Sequence, residues 1–207
     1  MMAVPGSRSV RSTRTKGVIP PETLLGAYCA GYFPMADPDL GTIGWYSPDP
    51  RGVFELDAFK ISRSLRQKIQ HRAFEIRINP RFEQVVRACA DREETWISEG
   101  LVKSYVALHR LGYAHSVEAW QQGRLAGGLY GVAVGGAFFG ESMFSRDRDA
   151  SKVALAALVE RLRQKRFTLL DTQYLTPHLA RLGAVEIPRE EYLKRLRKAI
   201  ALKRSFL

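Results

Sequence analysis

Two polar residues follow a short apolar segment in the last third of the chain. Asp171 and Gln173 lie two positions apart at the end of the segment Phe167–Asp171, whose composition is typical of a buried strand. In an extended backbone both side chains would point to the same face. A carboxylate after apolar residues needs a partner, because burying an unpaired charge is costly. The pair could therefore orient a polar substrate group. Alternatively, Asp171 caps the next turn and Gln173 lies on the surface.

A second polar segment runs from Gly140 to Ser145 and contains Glu141. We expect it to leave a strand and to enter a loop with Arg146 and Asp149, so that Glu141 lies where a sheet edge opens. Polar residues at strand ends often line binding sites. The alternative is a solvated turn in which Glu141 forms a salt bridge.

The composition favours a polyanionic partner such as nucleic acid. The 207 residues include 32 Lys and Arg against 21 Asp and Glu, which gives a formal net charge of +11. Aromatic and basic residues adjoin in the segment from Trp45 to Arg51, and Trp96 adds another ring; such groups can stack bases and hold phosphates. The alternative is that these rings belong to the core.

A basic helical stripe is also predicted, and it would suit a phosphate backbone unless it is only a solvated face. Its members are Lys60, Arg63, Arg66, Lys68 and Arg72.

Several kinds of site are not supported. The four histidines show no metal-ligand spacing, no Ser lies in a Gly-x-Ser-x-Gly motif, and Cys29 and Cys89 form no CxxC pair. No apolar run approaches the roughly 18 residues that span a bilayer, and no signal peptide is recognisable. We therefore expect a cytoplasmic protein without membrane contact. Residues 1–19 are predicted to form a disordered basic tail, and their composition also resembles a transit peptide.

The elements that must position the polar residues follow from apolar spacing and turn signals. A helix is predicted from Glu22 to Phe33, and prolines then break regular structure up to Pro50. A strand from Phe74 to Asn79 and helices beginning at Pro80 and Glu99 come next. An antiparallel meander follows, with strands His115–Trp120, Leu125–Val134 and Ala137–Gly140.

The last part of the chain predicts a crossover back to the sheet. Asp149 is expected to cap a helix that leads to the strand ending at Asp171, Thr176 is expected to cap a short helix, and Arg189–Ile200 forms a basic amphipathic helix. The fold class is α+β, with one mixed sheet flanked by helices. We expect a small N-terminal helix-and-loop domain at residues 20–50 and the main domain at 51–207.

Eight short motifs occur in order along the chain. They are Gly31 to Pro34, Trp45 to Arg51, Ile61 to Ser64, Asp91 to Ile97, Gly112 to Glu118, Gly128 to Val132, Gly140 to Ser145 and Leu182 to Ala184. Together they resemble the leucyl/phenylalanyl-tRNA–protein transferase family over about residues 24–198. The resemblance implies a catalytic domain with the N-acetyltransferase-like fold and no metal or redox cofactor. It also implies the reaction: Leu or Phe, and sometimes Met, moves from aminoacyl-tRNA to the α-amine of a protein with N-terminal Arg or Lys, which directs that protein to N-degron degradation.

The resemblance also implies roles for individual residues. The family motif Asp-x-Gln matches Asp171 and Gln173, a pair that would orient the attacking amine, since a neutral amide is a poor base. Glu141 matches an acid that we expect to face the cationic acceptor. Trp96 matches a position that stacks on adenine, and Met35 stands where many members have Trp. The pocket for the Leu or Phe side chain is implied to consist of Leu129, Phe138, Met143, Leu155, Leu158 and Leu170, with Leu158 in place of an aromatic residue.

Two other functions fit part of the sequence. An acetyl-CoA-dependent N-acetyltransferase would share the order of strands and helices, but it needs a Gly-rich pyrophosphate loop where this chain has Arg148-Asp149-Ala150-Ser151-Lys152. A non-enzymatic RNA-binding module would explain the charge and would leave the Asp171 and Gln173 pair without a role.

Overall fold

The computed structural model describes residues 15–207, and within this range the chain forms nine strands and seven α-helices. The strands are β1 (Phe33–Ala36), β2 (Ile43–Tyr46), β3 (Arg51–Phe54), β4 (Glu75–Ile78), β5 (Ala114–Gln121), β6 (Arg124–Val134), β7 (Ala137–Ser145), β8 (Leu169–Gln173) and β9 (Ala184–Ile187). The helices are α1 (Pro21–Cys29), α2 (Arg63–Gln70), α3 (Phe82–Ala90), α4 (Glu99–Arg110), α5 (Ala150–Gln164), α6 (Pro177–Arg181) and α7 (Arg189–Ile200).

Seven of these strands form one mixed sheet in the order β4-β5-β6-β7-β8-β3-β9. The only parallel neighbours among the described strands are β7 and β8, which α5 connects as a crossover; the other neighbouring pairs are antiparallel. This arrangement confirms the predicted α+β class, with one mixed sheet flanked by helices.

The alternation of side chains along the strands divides the core into two layers. Tyr130 and Phe139 point to the face covered by α1, α3, α4 and α7. Their neighbours in sequence, Leu129 and Phe138, point to the opposite face, which α2 and α5 cover. Helix α5 approaches the sheet closely at Gly127, where an added Cβ would lie 2.7 Å from the Cβ of Ala150.

The N-terminal part is more ordered than predicted. Residues 1–14 of the expected tail lie outside the described residues, but Thr15 forms a bridge with Ile43 and Ile19 is fully buried. Helix α1 ends at Cys29 and not at Phe33, because Gly31 adopts a left-handed φ of 84°. The proline-rich segment that was expected to lack regular structure contains the β1–β2 hairpin. Its Pro34 is tolerated because a two-stranded ribbon leaves some backbone N–H groups outside the ladder.

The segment from Gly140 to Ser145 was expected to form a loop, and this prediction is wrong. Strand β7 continues to Ser145 because its backbone remains paired with β6 over this length. Asp149 does precede α5 as predicted, but its side chain forms no capping bond. The hydroxyl of Ser145 instead accepts a hydrogen bond from the backbone N–H of Ser151 at 3.2 Å.

Within residues 15–207, no helix combines the length and apolar character that crossing a bilayer requires.

Candidate active site

A cleft opens in the sheet where β7 and β8 part. The two strands pair only through residues 137–139 and 169–171. Beyond these residues, β7 stays with β6 while β8 stays with β3. The cavity between the diverging strands has a volume of about 300 Å³ and is lined by residues of both core layers. The divergence of the strands therefore creates a cavity large enough for a small molecule.

A β-bulge in β7 places a carboxylate in this cleft. Across the β6–β7 ladder, Tyr130 pairs with Ser142 and Gly131 pairs with Gly140, so Glu141 is an extra residue without a partner in β6. Bulges re-aim side chains, and Glu141 accordingly lines the cavity while only 8% of it is exposed.

A second irregularity in β8 places an amide opposite that carboxylate. Gly52 pairs with Gln173 and Val53 pairs with Asp171, so Thr172 is the extra residue. Gln173 itself has a left-handed φ of 60°, which is uncommon for a residue with a side chain and clusters at functional sites. The regular extended backbone expected for residues 171–173 is therefore interrupted.

Gln173 and Glu141 meet by a direct hydrogen bond. Gln173 Nε2 donates to Glu141 Oε1 at 3.0 Å, and the Tyr105 hydroxyl donates to Glu141 Oε2 at 2.7 Å. The Tyr28 hydroxyl extends this chain, since it lies 2.9 Å from that of Tyr105. Gln173 Oε1 has no protein partner within residues 15–207. It is the acceptor that the amide offers to a bound group.

The environment of Glu141 favours its protonated form. Burial is the largest effect and raises the pKa of Glu141 to about 7. The hydrogen bonds from Tyr105 and Tyr28 lower this pKa. Of the two nearby charges, that of Asp171 raises it and that of Arg51 lowers it. The carboxyl group therefore changes charge near neutral pH, close to the range in which an α-amine titrates.

Asp171 lies beneath this pair and does not line the cavity. It is fully buried, and its two oxygens accept four hydrogen bonds. Arg51 supplies two of them, at 2.9 and 2.6 Å. The Tyr192 hydroxyl donates at 2.8 Å, and the backbone N–H of Gln173 donates at 2.9 Å. Asp171 thus holds the backbone of Gln173 and has no direct access to a substrate.

Arg51 is the residue that sequence reasoning misplaced. The segment from Trp45 to Arg51 was expected to hold phosphates, but the Arg51 side chain is fully buried between the rings of Phe33 and Tyr192 and donates to the backbone carbonyl of Gly31 at 3.1 Å. A signal for this pairing was present, since a buried Asp171 requires a cation. The sequence pattern does not identify which cation pairs with Asp171.

The apolar side of the cavity contains five of the six residues expected there. Leu129, Met143, Leu155, Leu158 and Leu170 line it, together with Phe54 and Leu179, which were not predicted. Phe138 does not line the cavity. Its side chain is fully buried behind the wall and packs against Phe206, with ring centroids 5.1 Å apart.

The part of the lining formed by Met35, Arg92 and Trp96, which we call the mouth of the cavity, combines an aromatic ring with an exposed cation. Met35 and Trp96 both line it and are partly buried. Arg92, beside them, donates from one guanidinium nitrogen to the Ser142 hydroxyl and to the carbonyl of Met143, each at 3.1 Å. A planar ring and a positive charge thus line the same part of the cavity.

The predicted basic stripe is only partly present. Lys60 and Arg72 lie outside α2, and Lys68 forms an ion pair with Asp149 at 2.7 Å. Arg63 and Arg66 remain exposed on α2 beside a cavity of about 450 Å³. Lys68 therefore ties α2 to the start of α5, and two arginines remain for a phosphate backbone.

The described part of the chain contains no group of three His, Cys, Asp or Glu side chains arranged to hold a metal ion.

Comparisons with known proteins identify the family. The model described as leucyl/phenylalanyl-tRNA protein transferase matches residues 53–197, and the model of the N-terminal domain of that protein matches residues 17–49. Among solved structures, that of L-PGS from Bacillus licheniformis aligns with 79% of this chain and 56% of its own, at a TM-score of 0.41 and 14% identity.

Two relatives are similar over nearly their whole length. Leucyl/phenylalanyl-tRNA–protein transferase of Rubrobacter xylanophilus is 58% identical over 187 residues, which cover 90% of this chain and 97% of that protein. The protein of the same name from Gloeobacter violaceus is 56% identical over 186 residues, which cover 90% and 96%. The chain therefore belongs to the leucyl/phenylalanyl-tRNA–protein transferase family.

Proposed function

We propose that this protein transfers Leu or Phe from aminoacyl-tRNA to the α-amine of proteins that begin with Arg or Lys. The observation that carries the proposal is one cleft in which an apolar cavity adjoins the Gln173–Glu141 pair, in a member of this family. The apolar part suits an uncharged donor side chain, and the polar part suits an amine. The transfer would take place in the cytoplasm and would mark the acceptor for N-degron degradation.

This reaction requires the enzyme mainly to position the amine, because the ester needs little further activation. The ester of aminoacyl-tRNA is already reactive, so the neutral amine only has to be held against its carbonyl carbon. A new C–N bond forms as the ester C–O bond breaks, and the proton that the amine loses ends on the released ribose oxygen. Gln173 Oε1 is suited to accept a hydrogen bond from the amine, because its Nε2 is already held by Glu141.

Glu141 supplies the negative charge that a cationic acceptor needs. An N-terminal Arg or Lys brings a side-chain cation as well as the amine, and a carboxylate in a low-dielectric cleft attracts either group more strongly than it would in water. The raised pKa of Glu141, which burial causes, means that approach of such a cation favours loss of its proton.

The donor cavity favours side chains of moderate size. Its apolar wall consists mainly of leucines, with Met143 and Phe54, and these side chains fit an unbranched or γ-branched guest without offering a hydrogen bond. Leu158 leaves room that a larger aromatic residue would fill, and this supports acceptance of Phe beside Leu, with Met a further candidate. Trp96 and Met35 at the mouth are proposed to contact the terminal adenine.

Asp171 is proposed to act through Gln173. Because four donors occupy its oxygens, it cannot contact the amine directly, but it fixes the left-handed backbone that aims Gln173 at Glu141. Arg51 and Tyr192 hold Asp171 in turn. We therefore regard Asp171 as a positioning residue and Gln173 as the group that touches substrate.

One assay tests the proposal. Charged Leu-tRNA or Phe-tRNA is supplied with a peptide beginning with Arg, and mass spectrometry detects a peptide longer by one residue. A peptide differing only in an N-terminal Ala serves as the acceptor control, and acetyl-CoA replaces charged tRNA as the donor control. Intact charged tRNA without any extended peptide would exclude the transfer, and acetylated peptide would point to an N-acetyltransferase.

A further inference from the structure

A second cavity, of about 740 Å³, lies between α3, α4 and the residue that follows β7. Its floor contains the stacked rings of Phe82 and His109, whose centroids are 4.2 Å apart. Helices α3 and α4 cover the sheet face opposite to α2. This groove is therefore distinct from the Arg63 and Arg66 surface.

Four arginines line the groove, and their charges are not equally compensated. Arg87 forms ion pairs with Glu83 at 2.8 Å and with Glu99 at 2.9 Å. The side chains of Arg81 and Arg110 are exposed and have no hydrogen bond or ion pair within residues 15–207.

Arg146 completes the set of uncompensated cations. Its guanidinium lies 5.5 Å from the ring centroid of Phe144 and donates weakly to the carbonyl of Leu125 at 3.4 Å, without a carboxylate partner in the described chain. Asp91 is the one lining carboxylate outside an ion pair. Arg87 is shared by two carboxylates, so the four arginines exceed the carboxylates Glu83, Asp91 and Glu99 by one charge. The groove is therefore net positive and presents three guanidiniums without a carboxylate partner, which suits the binding of phosphates.

The linings of the groove and of the donor cavity adjoin along the chain. Asp91 lines the groove and its neighbour Arg92 lines the donor cavity, so a single peptide bond separates the two linings. Met143 of β7 lines the donor cavity, and Arg146, three residues later, lines the groove. A nucleotide chain attached to an amino acid in the donor cavity would therefore reach these arginines if it left the cavity beside Arg92.

We propose that the groove binds the backbone phosphates of the nucleotides that precede the terminal adenosine of the donor tRNA. The inference rests on the proposed function, which places that adenosine at the cavity mouth. An acceptor polypeptide is the less suitable occupant, because the acceptor begins with two positive charges and three free arginines repel them. Single-stranded RNA brings one negative charge per nucleotide, and Arg binds phosphate through paired N–H donors.

A graded series of donors tests the proposal. Phenylalanyl-adenosine carries no phosphate upstream of the adenosine, and phenylalanyl esters of the oligonucleotides CA and CCA add one and two. Transfer to an Arg peptide gives KM for each donor, and fluorescence anisotropy gives Kd for the same oligonucleotides without the amino acid. In the wild type we expect affinity to rise with each added nucleotide.

The test variant is Arg81→Ala combined with Arg110→Ala, and the control is Arg197→Ala combined with Lys198→Ala. Arg197 and Lys198 are exposed on α7 and line neither cavity, so the control removes the same two charges elsewhere. The double variant should lose the gain from added nucleotides, by roughly tenfold per phosphate contact, and its salt slope should fall by about 0.7 per contact. Phenylalanyl-adenosine should react equally well with both proteins.

The outcomes separate the two proposals. An unchanged gain in the double variant, or no gain in the wild type, overturns the groove assignment while transfer itself stands. A raised KM for the peptide with unchanged donor KM would assign the groove to the acceptor and also overturn it. If no donor supports transfer in the wild type, the proposed function fails, and the anisotropy series still decides whether the groove binds RNA.

Discussion

Replacing Arg51 by methionine isolates the contribution of the buried ion pair to the site. In Arg51→Met, Asp171 keeps the hydrogen bonds from Tyr192 and from the backbone of Gln173 but loses both guanidinium contacts. Methionine fills much of the space of the arginine stem between the flanking rings. The variant therefore removes the charge without creating a large cavity.

The size of the effect follows from burial. Both side chains of the pair are 0% exposed, so water cannot solvate the carboxylate that remains. Removing one partner of a buried ion pair costs about 3–5 kcal/mol. For a chain of this size each kcal/mol lowers Tm by roughly 2–4 °C, so we expect a fall of roughly 6–20 °C.

A double-mutant cycle distinguishes the pairing from general damage. Asp171→Asn keeps an oxygen that can accept from the Gln173 N–H but removes the negative charge. It should destabilise the protein as Arg51→Met does, since the cation is then left unpaired. The combined variant removes both charges and should be more stable than the sum of the single effects by about 2 kcal/mol. Urea unfolding gives these free energies.

The same variants report on the site. All three should lower kcat, because Asp171 without its ion pair positions the Gln173 backbone less firmly, and should leave KM for aminoacyl-tRNA near the wild-type value. The surface control is Arg195→Met, whose partners Glu55 and Glu191 are half exposed, and it should cost less than about 1 kcal/mol. An Arg51→Met protein as stable as this control, or strictly additive effects in the cycle, would refute the reasoning.

Four further predictions concern the cleft and the tRNA surface. Because burial raises the pKa of Glu141 to about 7 from an ordinary 4.5, the folded state holds a proton that the unfolded chain releases. The free energy of unfolding should therefore fall by up to about 3 kcal/mol as the pH rises from 4.5 to 7. The rate of transfer should increase over the same pH range as the carboxylate forms. In Glu141→Gln, the free energy of unfolding should no longer depend on pH in this range. Gln173→Ala should lower kcat by about tenfold or more through loss of orientation while tRNA affinity stays unchanged, and equal turnover would remove Gln173 from the mechanism. Leu158→Phe should reduce Phe transfer relative to Leu transfer by roughly tenfold, because a ring fills the 300 Å³ cavity; an unchanged ratio in competition assays would contradict this. Charge reversal at Arg63 and Arg66 should weaken tRNA binding and flatten its salt dependence, and unchanged binding would leave them a solvated face.

Periodic segments were predicted well because their apolar spacing is decided locally. Helix α7 has the predicted bounds, and the meander of β5, β6 and β7 lies where alternation and glycine turns placed it. A helix face or a strand face buries the same residues whichever element covers it. The spacing of apolar residues is therefore sufficient to predict the element.

Predictions about individual contacts depended on what each residue meets across the fold, and the structure gives two residues partners that the sequence did not indicate. Lys68 has the sequence context of a phosphate ligand, but α5 brings Asp149 to 2.7 Å from it. Phe138 is apolar and lies on the pocket side of β7, yet Phe206 from the C-terminus packs behind it and the cavity forms elsewhere. In both cases the deciding partner lies more than 60 residues away in the sequence, where local patterns carry no signal.

The site itself depends on departures from regular structure. Without the bulge in β7, Glu141 would pair with a residue of β6 and its side chain would follow the regular alternation of the strand. Without the irregularity in β8, the side chain of Gln173 would not reach Glu141. Both irregularities occur where the parallel strands separate, since each strand must there follow a different antiparallel partner. The strain of the left-handed Gln173 is then held by the Asp171–Arg51 pair, which accounts for a costly buried charge at the centre of the core. In the proposed function, Asp171 of the motif Asp-x-Gln supports the site and Gln173 contacts the substrate, two roles that spacing alone cannot distinguish.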